Sequence, residues 1–433
     1  MSSYLHISRI FCERYKPFNR RVELEFAPLT ILFGNNGSGK SSLLRLVPQL
    51  LEGLNVRAQE GLPLHVHNIS FGKTFAEMVH GRKPMGFIKL GIELEGGGQR
   101  LGLDWTLRRR DVPFVECQLI ESFELRRHGG PFVSLKWDEE PGSDSKYELR
   151  VEDALLDGGP FSIRFEGLLP SLRGLSNAGL KGESLQELLA VYDMLRALSS
   201  QCAYLGPVRT PIPAYELCDV EAALRHMRFD GQNAAQILYA QQHEILPTAQ
   251  AFFRLKELGE HTLEIESLAP LFGLRLKRRD IITPLGEVGL GMAQVFPLVV
   301  QRSLPQVPPS TVEGEVTVAR HELVEEPESH LHPSAHGAVA DLYIKGVQQD
   351  GVRSLLETHS EMFLLRLRRR IAEGGLSPEN VKLYWVNDLD QSLQTVELDS
   401  EGDVDNWPDG VFSYDFEELK QLRRAQRERG GRA

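Results

Sequence analysis

The chain has 433 residues, 41% hydrophobic and 25% charged, which describes a globular protein of roughly two or three domains and excludes a fibrous or low-complexity one. A formal net charge of −11 counts against a free-standing nucleic-acid binder, which is usually basic. No apolar run approaches the roughly 18 residues of a membrane helix, and Cys12, Cys117, Cys202 and Cys218 form no C-x-x-C pair, which argues against a disulfide framework or zinc site and suits a reducing cytoplasm.

The N-terminus runs directly into a first strand, so no signal peptide is expected. The next strand, Leu29 to Phe33, is apolar and β-rich. It leads into Gly34-Asn35-Asn36-Gly37-Ser38-Gly39-Lys40-Ser41, a full match to G-x-x-x-x-G-K-[ST]. From Ser42 to Leu51 apolar residues recur at helical spacing. Strand, glycine loop and helix are the context that this phosphate-binding motif needs. Its glycines let backbone N–H groups face phosphates, and the helix start adds a positive dipole end. Residues Gly34 to Ser42 are the candidate nucleotide contacts, with Lys40 on the β- and γ-phosphates and the Ser41 hydroxyl on Mg²⁺.

Residues 85–165 read as a β-rich meander, with alternation through Phe87 to Leu94, a turn at Gly96-Gly97-Gly98, and alternation again from Arg100 to Trp105. From 166 to about 264 helical spacing dominates (Leu185, Leu188, Leu189, Tyr192, Leu195, Leu198), interrupted by the open stretch Leu205 to Pro213. Beyond about 265 strand and helix patterns alternate again. Gly289 and Gly291 open an apolar helix, which leaves free N–H groups suited to a second phosphate contact; a plain turn reads the same way. The loop Pro305 to Thr311 is the most proline-rich point.

A phosphate loop also needs an acid for Mg²⁺ and a group that handles water. In Leu323-Val324-Glu325-Glu326-Pro327-Glu328-Ser329-His330-Leu331-His332-Pro333 a short apolar strand delivers two carboxylates. Glu325 is the candidate metal ligand and Glu326 the candidate base. Arg320-His321-Glu322 is polar where a buried strand should be apolar, so a short strand, or one exposed at its start, is expected. In Ser354 to Ser360 a strand end precedes His359, the candidate γ-phosphate contact. His330, His332 and His336 read as a partner-facing loop or a metal cluster. The clusters Arg108-Arg109-Arg110, Lys277-Arg278-Arg279, Arg366 to Arg370 and Arg423 to Arg429 read as solvated faces or as a phosphate-binding surface formed on oligomerisation. The end, Glu417 to Ala433, reads as a charged helix that frays.

Phosphate loop, glycine signature, Glu-Glu-Pro and late histidine, in that order, resemble the ATP-binding-cassette (ABC) class. More closely they resemble bacterial AAA-15/AAA-21-type ATPases, relatives of the SMC, RecF and overcoming-lysogenization-defect (OLD) proteins. Tyr204 to Arg209 and Phe71 to Phe75 are also similar to this group, and Gly402 to Phe412 resembles a small domain of unknown function found on some members. The resemblance implies an α/β ABC-type P-loop NTPase head with a β-rich meander and a helical insertion. Its parts are 1–165, the first part of the head with its β-rich lobe; 166–264, the insertion; 265–390, the rest of the head; and 391–433, a small C-terminal domain or tail.

It further implies ATP and Mg²⁺ as cofactors, a head-to-tail homodimer or higher oligomer, and catalytic roles for Lys40, Glu326 and His359. The signature helix, through the N–H groups of Gly289 and Gly291, caps the partner's γ-phosphate. Leu290 stands where the family commonly has serine, and Glu326 stands where many relatives carry glutamine, which favours hydrolysis. Gln59 or the Phe71–His80 stretch fills the place of the family's Q-loop. The function implied is the ATPase subunit of a bacterial anti-phage defence system, in the cytoplasm, controlling a separately encoded effector such as a nuclease. The Toprim domain of OLD nucleases follows the ATPase, and with only a short stretch after His359 no nuclease active site is expected in this chain. The alternative is a RecF/SMC-like ATPase of DNA repair that binds DNA directly. A transporter subunit is disfavoured by the insertions, and no membrane partner is expected.

Overall fold

The computed structural model describes residues 4–55, 61–66, 69–112, 115–138, 146–219, 227–304, 316–348, 351–404, 407–408 and 420–421. Gln59, the loop 305–311, the arginines from 423 onward and nearly all of 405–433 lie outside the described residues.

Strands β1 (Tyr4–Glu13) and β2 (Val22–Glu25) precede β3 (Leu29–Phe33) and helix α1 (Lys40–Gly53). A meander follows: β4 (Phe87–Gly96), β5 (Gln99–Val112), β6 (Val115–Arg127), β7 (Gly130–Trp137) and β8 (Lys146–Val151), each antiparallel to the next. The alternation read in sequence has a physical basis. Ile88, Leu90 and Leu94 of β4 and Leu101, Leu103 and Trp105 of β5 are buried. These strands join β1 and β2 in one antiparallel sheet, ordered β8-β7-β6-β5-β4-β1-β2.

Next come α2 (Leu172–Asn177), α3 (Glu183–Ser200), β9 (Cys202–Leu205), α4 (Ala234–Ala240) and α5 (Gln242–Phe253). A small antiparallel sheet, β10 (Thr262–Leu268), β11 (Leu271–Arg278) and β12 (Ile281–Pro284), leads into α6 (Leu290–Ser303). Then β13 (Arg320–Glu325), α7 (Pro333–Val347), β14 (Val352–Glu357), α8 (Glu361–Ala372), β15 (Val381–Val386) and β16 (Leu393–Val396) complete the second large sheet.

That sheet runs β9-β13-β14-β3-β15-β16, parallel throughout except for β16. Alternate residues feed opposite faces. Leu32, Leu323, Leu355 and Tyr384 join a core with Leu43, Leu44 and Val47 of α1. Ile31, Phe33, Val324, Leu356 and Leu383 join a core with α6, α7 and α8. Each such fully buried leucine contributes about 1.5–3 kcal/mol of transfer free energy. A parallel sheet covered on both faces, with a phosphate-loop motif after its central strand, is the α/β fold of an ABC-type P-loop NTPase head. Cys202–Leu205 lies inside the stretch expected to be a helical insertion, yet it is the edge strand of this sheet. Four residues are too few for periodicity to separate strand from helix.

The start of β13 is neither short nor exposed, contrary to expectation. His321 and Glu322 are 1% and 0% exposed. Glu322 accepts from Arg302 Nη1 at 2.8 Å and is ion-paired with Arg320 at 2.7 Å. His321 Nε2 accepts from the Ile7 amide at 3.1 Å, beside an irregularity in β1, and its Nδ1 lies 3.0 Å from the Ala319 carbonyl. The imidazole is therefore neutral and joins the two sheets.

Burial, helped by His6 and Arg353, lowers the His321 pKa to about 3. Its unfolded value is near 6.5, so the unfolded chain binds the extra proton between these limits. Stability present above pH 6.5 is therefore expected to fall as pH drops from 6.5 towards 3, and His6, also lowered by burial, adds in the same direction. Urea midpoints across this range should slope less steeply in His321→Asn than in the parent; equal slopes would assign the acid sensitivity elsewhere.

Candidate functional site

Strand β3 is buried along its whole length and delivers the loop to the carboxyl end of the parallel sheet. Gly39 caps α1 in the left-handed region, φ 107°, and a Cβ there would stand 2.7 Å from Pro17 and 2.8 Å from Phe18. Glycine is thus required on two grounds, conformation and close approach. The first turn of α1 has no side-chain cap and no acidic residue. Its orphan N–H groups and the helix dipole make a site for an anion.

Lys40, 2% exposed, turns into the loop and donates to the carbonyls of Gly34 at 3.0 Å and Asn35 at 2.8 Å. Burial lowers its pKa, opposed by Glu357, Glu326 and Asp388. Asn36 and Gly37 are exposed at the loop tip, Ser38 is buried, and Ser41 and Ser42 are half-buried on α1.

The Ser41 hydroxyl donates to Glu357 Oε1 at 2.9 Å, and Lys40 Nζ lies 4.0 Å from the same oxygen. Glu357 ends β14 and is 3% exposed, and its Oε2 is buried with no hydrogen-bond partner among the described residues. Burial, then the neighbouring Glu325, pushes its pKa up to about 7, against the pull of Ser41 and Lys40. Sequence reasoning passes over this residue as the end of a strand before His359. A signal is present: an acid closing the apolar run Leu355-Leu356. Its register partner, however, is a fact of the fold. Glu325 and Glu357 stand opposite each other in the parallel pair β13/β14.

Glu325, the expected metal ligand, is fully engaged in protein contacts. Arg45, one turn beyond Ser41 on α1, donates from Nε to Oε1 and from Nη2 to Oε2, both at 2.6 Å, and Tyr204 donates to Oε1 at 2.6 Å.

Glu326 follows in the left-handed region, φ 44°, an uncommon state for a residue with a side chain. Its amide donates to the Glu357 carbonyl at 2.8 Å, and its half-buried carboxylate accepts from the Ser329 hydroxyl at 2.7 Å. Glu328 is buried and accepts from the Thr358 hydroxyl at 2.6 Å and the His359 amide at 2.9 Å, so it clamps the acidic loop to the end of β14. The His359 side chain is one-third exposed, with Nε2 4.0 Å from Glu357 Oε1. Burial and then Lys40 lower its pKa, which holds the ring neutral near neutral pH. A groove of about 240 Å³ opens between the loop at Gly34–Asn36 and His359, floored by Phe33 and Trp385.

The fold thus gathers Lys40, Ser41, Glu325, Glu326, Glu357 and His359 at the ends of β3, β14 and β13. The glycines at the start of α6 pack elsewhere. Gly289 and Leu290 are exposed, and Gly291 lies against the His330 carbonyl, where an added Cβ would come within 2.4 Å. Gly291→Ala is expected to cost about 1–3 kcal/mol by overpacking, seen in a urea titration; an unchanged midpoint would show that the loop yields freely.

Arg209, which closes the family-like stretch Tyr204 to Arg209 but has no role assigned from sequence, is 1% exposed. Its backbone exchanges hydrogen bonds with the Gln294 side chain on α6, at 3.0 and 2.7 Å. Its guanidinium donates to the carbonyls of Gln294 at 3.3 Å, Glu325 at 2.7 Å and Glu326 at 3.3 Å.

The histidines form no metal centre among the described residues, where no group of three or more His, Cys, Asp or Glu is placed to hold an ion. His336 is engaged at both nitrogens, by Ser360 Oγ and the Leu331 carbonyl, and His332 caps α7 through Ser334. The arginines of α8 are spent on internal ion pairs: Arg366 and Arg370 on Asp341, Arg369 on Glu373, and Arg368 on Asp403. Lys277, Arg278 and Arg279 stand exposed at the β11–β12 turn. Among the described residues no helix is long and apolar enough to cross a membrane.

No family model matches the chain, and no curated protein matches it. Solved structures do. The SMC head domain from Thermotoga maritima is 11% identical with a TM-score of 0.44, over 91% of this chain and 99% of that one. The SmcHead bound to the C-winged helix domain of ScpA is 13% identical, TM-score 0.46, over 91% and 97%. The Smc head domain with an extended coiled coil, bound to the C-terminal domain of ScpA and derived from Pyrococcus furiosus, is 11% identical, TM-score 0.43, over 97% and 100%. Likenesses this low carry no argument about function; the fold class follows from the chain's own sheet order and phosphate loop.

Proposed function

We propose that this chain binds ATP with Mg²⁺ and hydrolyses it, as an ABC-type ATPase working in head-to-tail pairs. One observation supports this above the others: the uncapped start of α1, with buried Lys40 and Ser41, stands against the carboxylates at the ends of β13 and β14. The loop amides and Lys40 hold the β- and γ-phosphates. A serine hydroxyl and a buried carboxylate with an unpartnered oxygen are the hard oxygen donors that Mg²⁺ takes, so Ser41 with a carboxylate from the ends of β13 and β14 fits this ion. Bound there, Mg²⁺ would neutralise charge on the phosphate oxygens. Glu326 orients or deprotonates the attacking water. His359, neutral at the rim of the groove, contacts the γ-phosphate. The N–H groups at Gly289, exposed, and Gly291, half-buried, at the start of α6 serve the nucleotide of a second copy.

In the same reading the chain is an AAA-15/AAA-21-like ATPase of bacterial anti-phage defence, cytoplasmic, which holds or releases a separately encoded effector such as a nuclease. Support comes from the order of its sequence motifs. A RecF/SMC-like DNA-binding role is the second reading; the exposed Lys277-Arg278-Arg279 turn favours it, and the ion-paired arginines of α8 count against it.

The test is ATPase turnover of the purified chain, with and without duplex or single-stranded DNA, together with its mass with and without ATP. Turnover that needs Mg²⁺ and an ATP-dependent rise in mass support the proposal. Stimulation by DNA moves the weight to the second reading. No ATP binding at all overturns both.

A further inference from the structure

We infer that Glu357, and not Glu325, is the carboxylate that ligates the metal ion directly, with Ser41 as its neighbour in the coordination shell. This rests on the reading of the loop as an ATP–Mg²⁺ site and deepens it. Three observations carry it. Glu357 already touches the hydroxyl that such a loop offers to the ion, at 2.9 Å. Its second oxygen is buried without a partner among the described residues, a state that costs free energy unless something completes it. The charge beside it is Lys40 at 4.0 Å, which a triphosphate would draw towards itself.

Glu325 is in the opposite condition. Both its oxygens accept from Arg45, and one also accepts from Tyr204. To reach Glu325 an ion would have to break a two-pronged, charge-assisted pair and leave a guanidinium stranded beside it. Glu325 instead anchors Arg45, and with it the first turns of α1, to the end of β13.

ATP affinity of the full chain, measured by calorimetry in MgCl₂ and in EDTA, separates these roles without any reading of turnover. The parent should bind ATP at least about tenfold more tightly with Mg²⁺. In Glu357→Gln that advantage should shrink to within about twofold, because an amide is a poor ligand for Mg²⁺. Metal-free binding should hold or strengthen, because a negative charge facing the phosphates is gone. Glu325→Gln should keep the Mg²⁺ advantage. The reverse pattern, loss in Glu325→Gln and retention in Glu357→Gln, overturns the inference. Should the glutamine variant not fold, Glu357→Asp serves: a reduced advantage supports the assignment and an unchanged one overturns it. A parent that binds ATP equally with and without Mg²⁺ would instead remove the metal from the underlying reading. A parent that binds no ATP would remove that reading altogether.

Discussion

Replacing Lys40 by alanine is expected to abolish measurable ATP binding, with a loss of at least about 100-fold in affinity, because hydrogen bonds to charged groups are worth about 1.5–3 kcal/mol each. The ammonium is the buried cation of the loop, 2% exposed, and its two present partners are neutral carbonyls. A triphosphate offers it charged acceptors in their place. Alanine also removes the cation 4.0 Å from Glu357, which withdraws positive charge from the place that receives the phosphates. Both effects act in the same direction. Calorimetric titration with Mg²⁺–ATP checks it, and a thermal melt confirms that the variant is folded. Binding retained within a few-fold would sink the assignment of Gly34–Ser41 as the nucleotide loop.

Glu326→Gln is expected to lower turnover by about 10²–10⁴, the range for losing a positioned general base, while ATP binding survives. The side chain is half-buried and accepts from Ser329, and its backbone is held in a left-handed turn at the end of the strand. Glutamine keeps the shape and the contact with Ser329 but cannot take a proton. A pair of chains that closes around ATP and cannot hydrolyse it should then accumulate, visible as a doubled mass that persists with ATP and collapses when ATP is withdrawn. Turnover at the parental rate would move the base elsewhere. Glu328 is poorly placed to replace it, because its carboxylate is buried against Thr358 and the His359 amide.

Much of the fold could be read from local pattern. Apolar alternation in Phe87–Gly96 and Gln99–Val112 reports one buried face of a sheet, and the apolar strand before Gly34 reports a fully covered central strand. What escaped depended on partners distant in sequence. His321 and Glu322 look wrong for a core strand until the Ile7 amide meets the one and the charges of Arg302 and Arg320 meet the other. Glu325 looks free until Arg45 and Tyr204 close on it. Glu357 looks incidental until strand register sets it beside Glu325 and across from Ser41. Arg209 lies in a stretch with no periodicity, and nothing local in Gly206-Pro207-Val208 announces a guanidinium that reaches three carbonyls. Hydrophobic patterning shows which face is covered; it is silent on which polar groups meet there.

The contacts of Arg209 have a mechanical consequence. One guanidinium holds the backbone of Glu325 and Glu326 and the body of α6 together, and Gly291 is seated on the same acidic loop through His330. The glycine-rich tip at Gly289 and the carboxylate turn at Glu325–Glu326 are therefore tied to each other through α6. In a pair of chains facing each other in opposite senses, a nucleotide gripped by one tip would pull on the carboxylates of the chain that owns that tip. The two halves would then keep time with each other, and turnover would rise with ATP concentration along a sigmoid rather than a hyperbola.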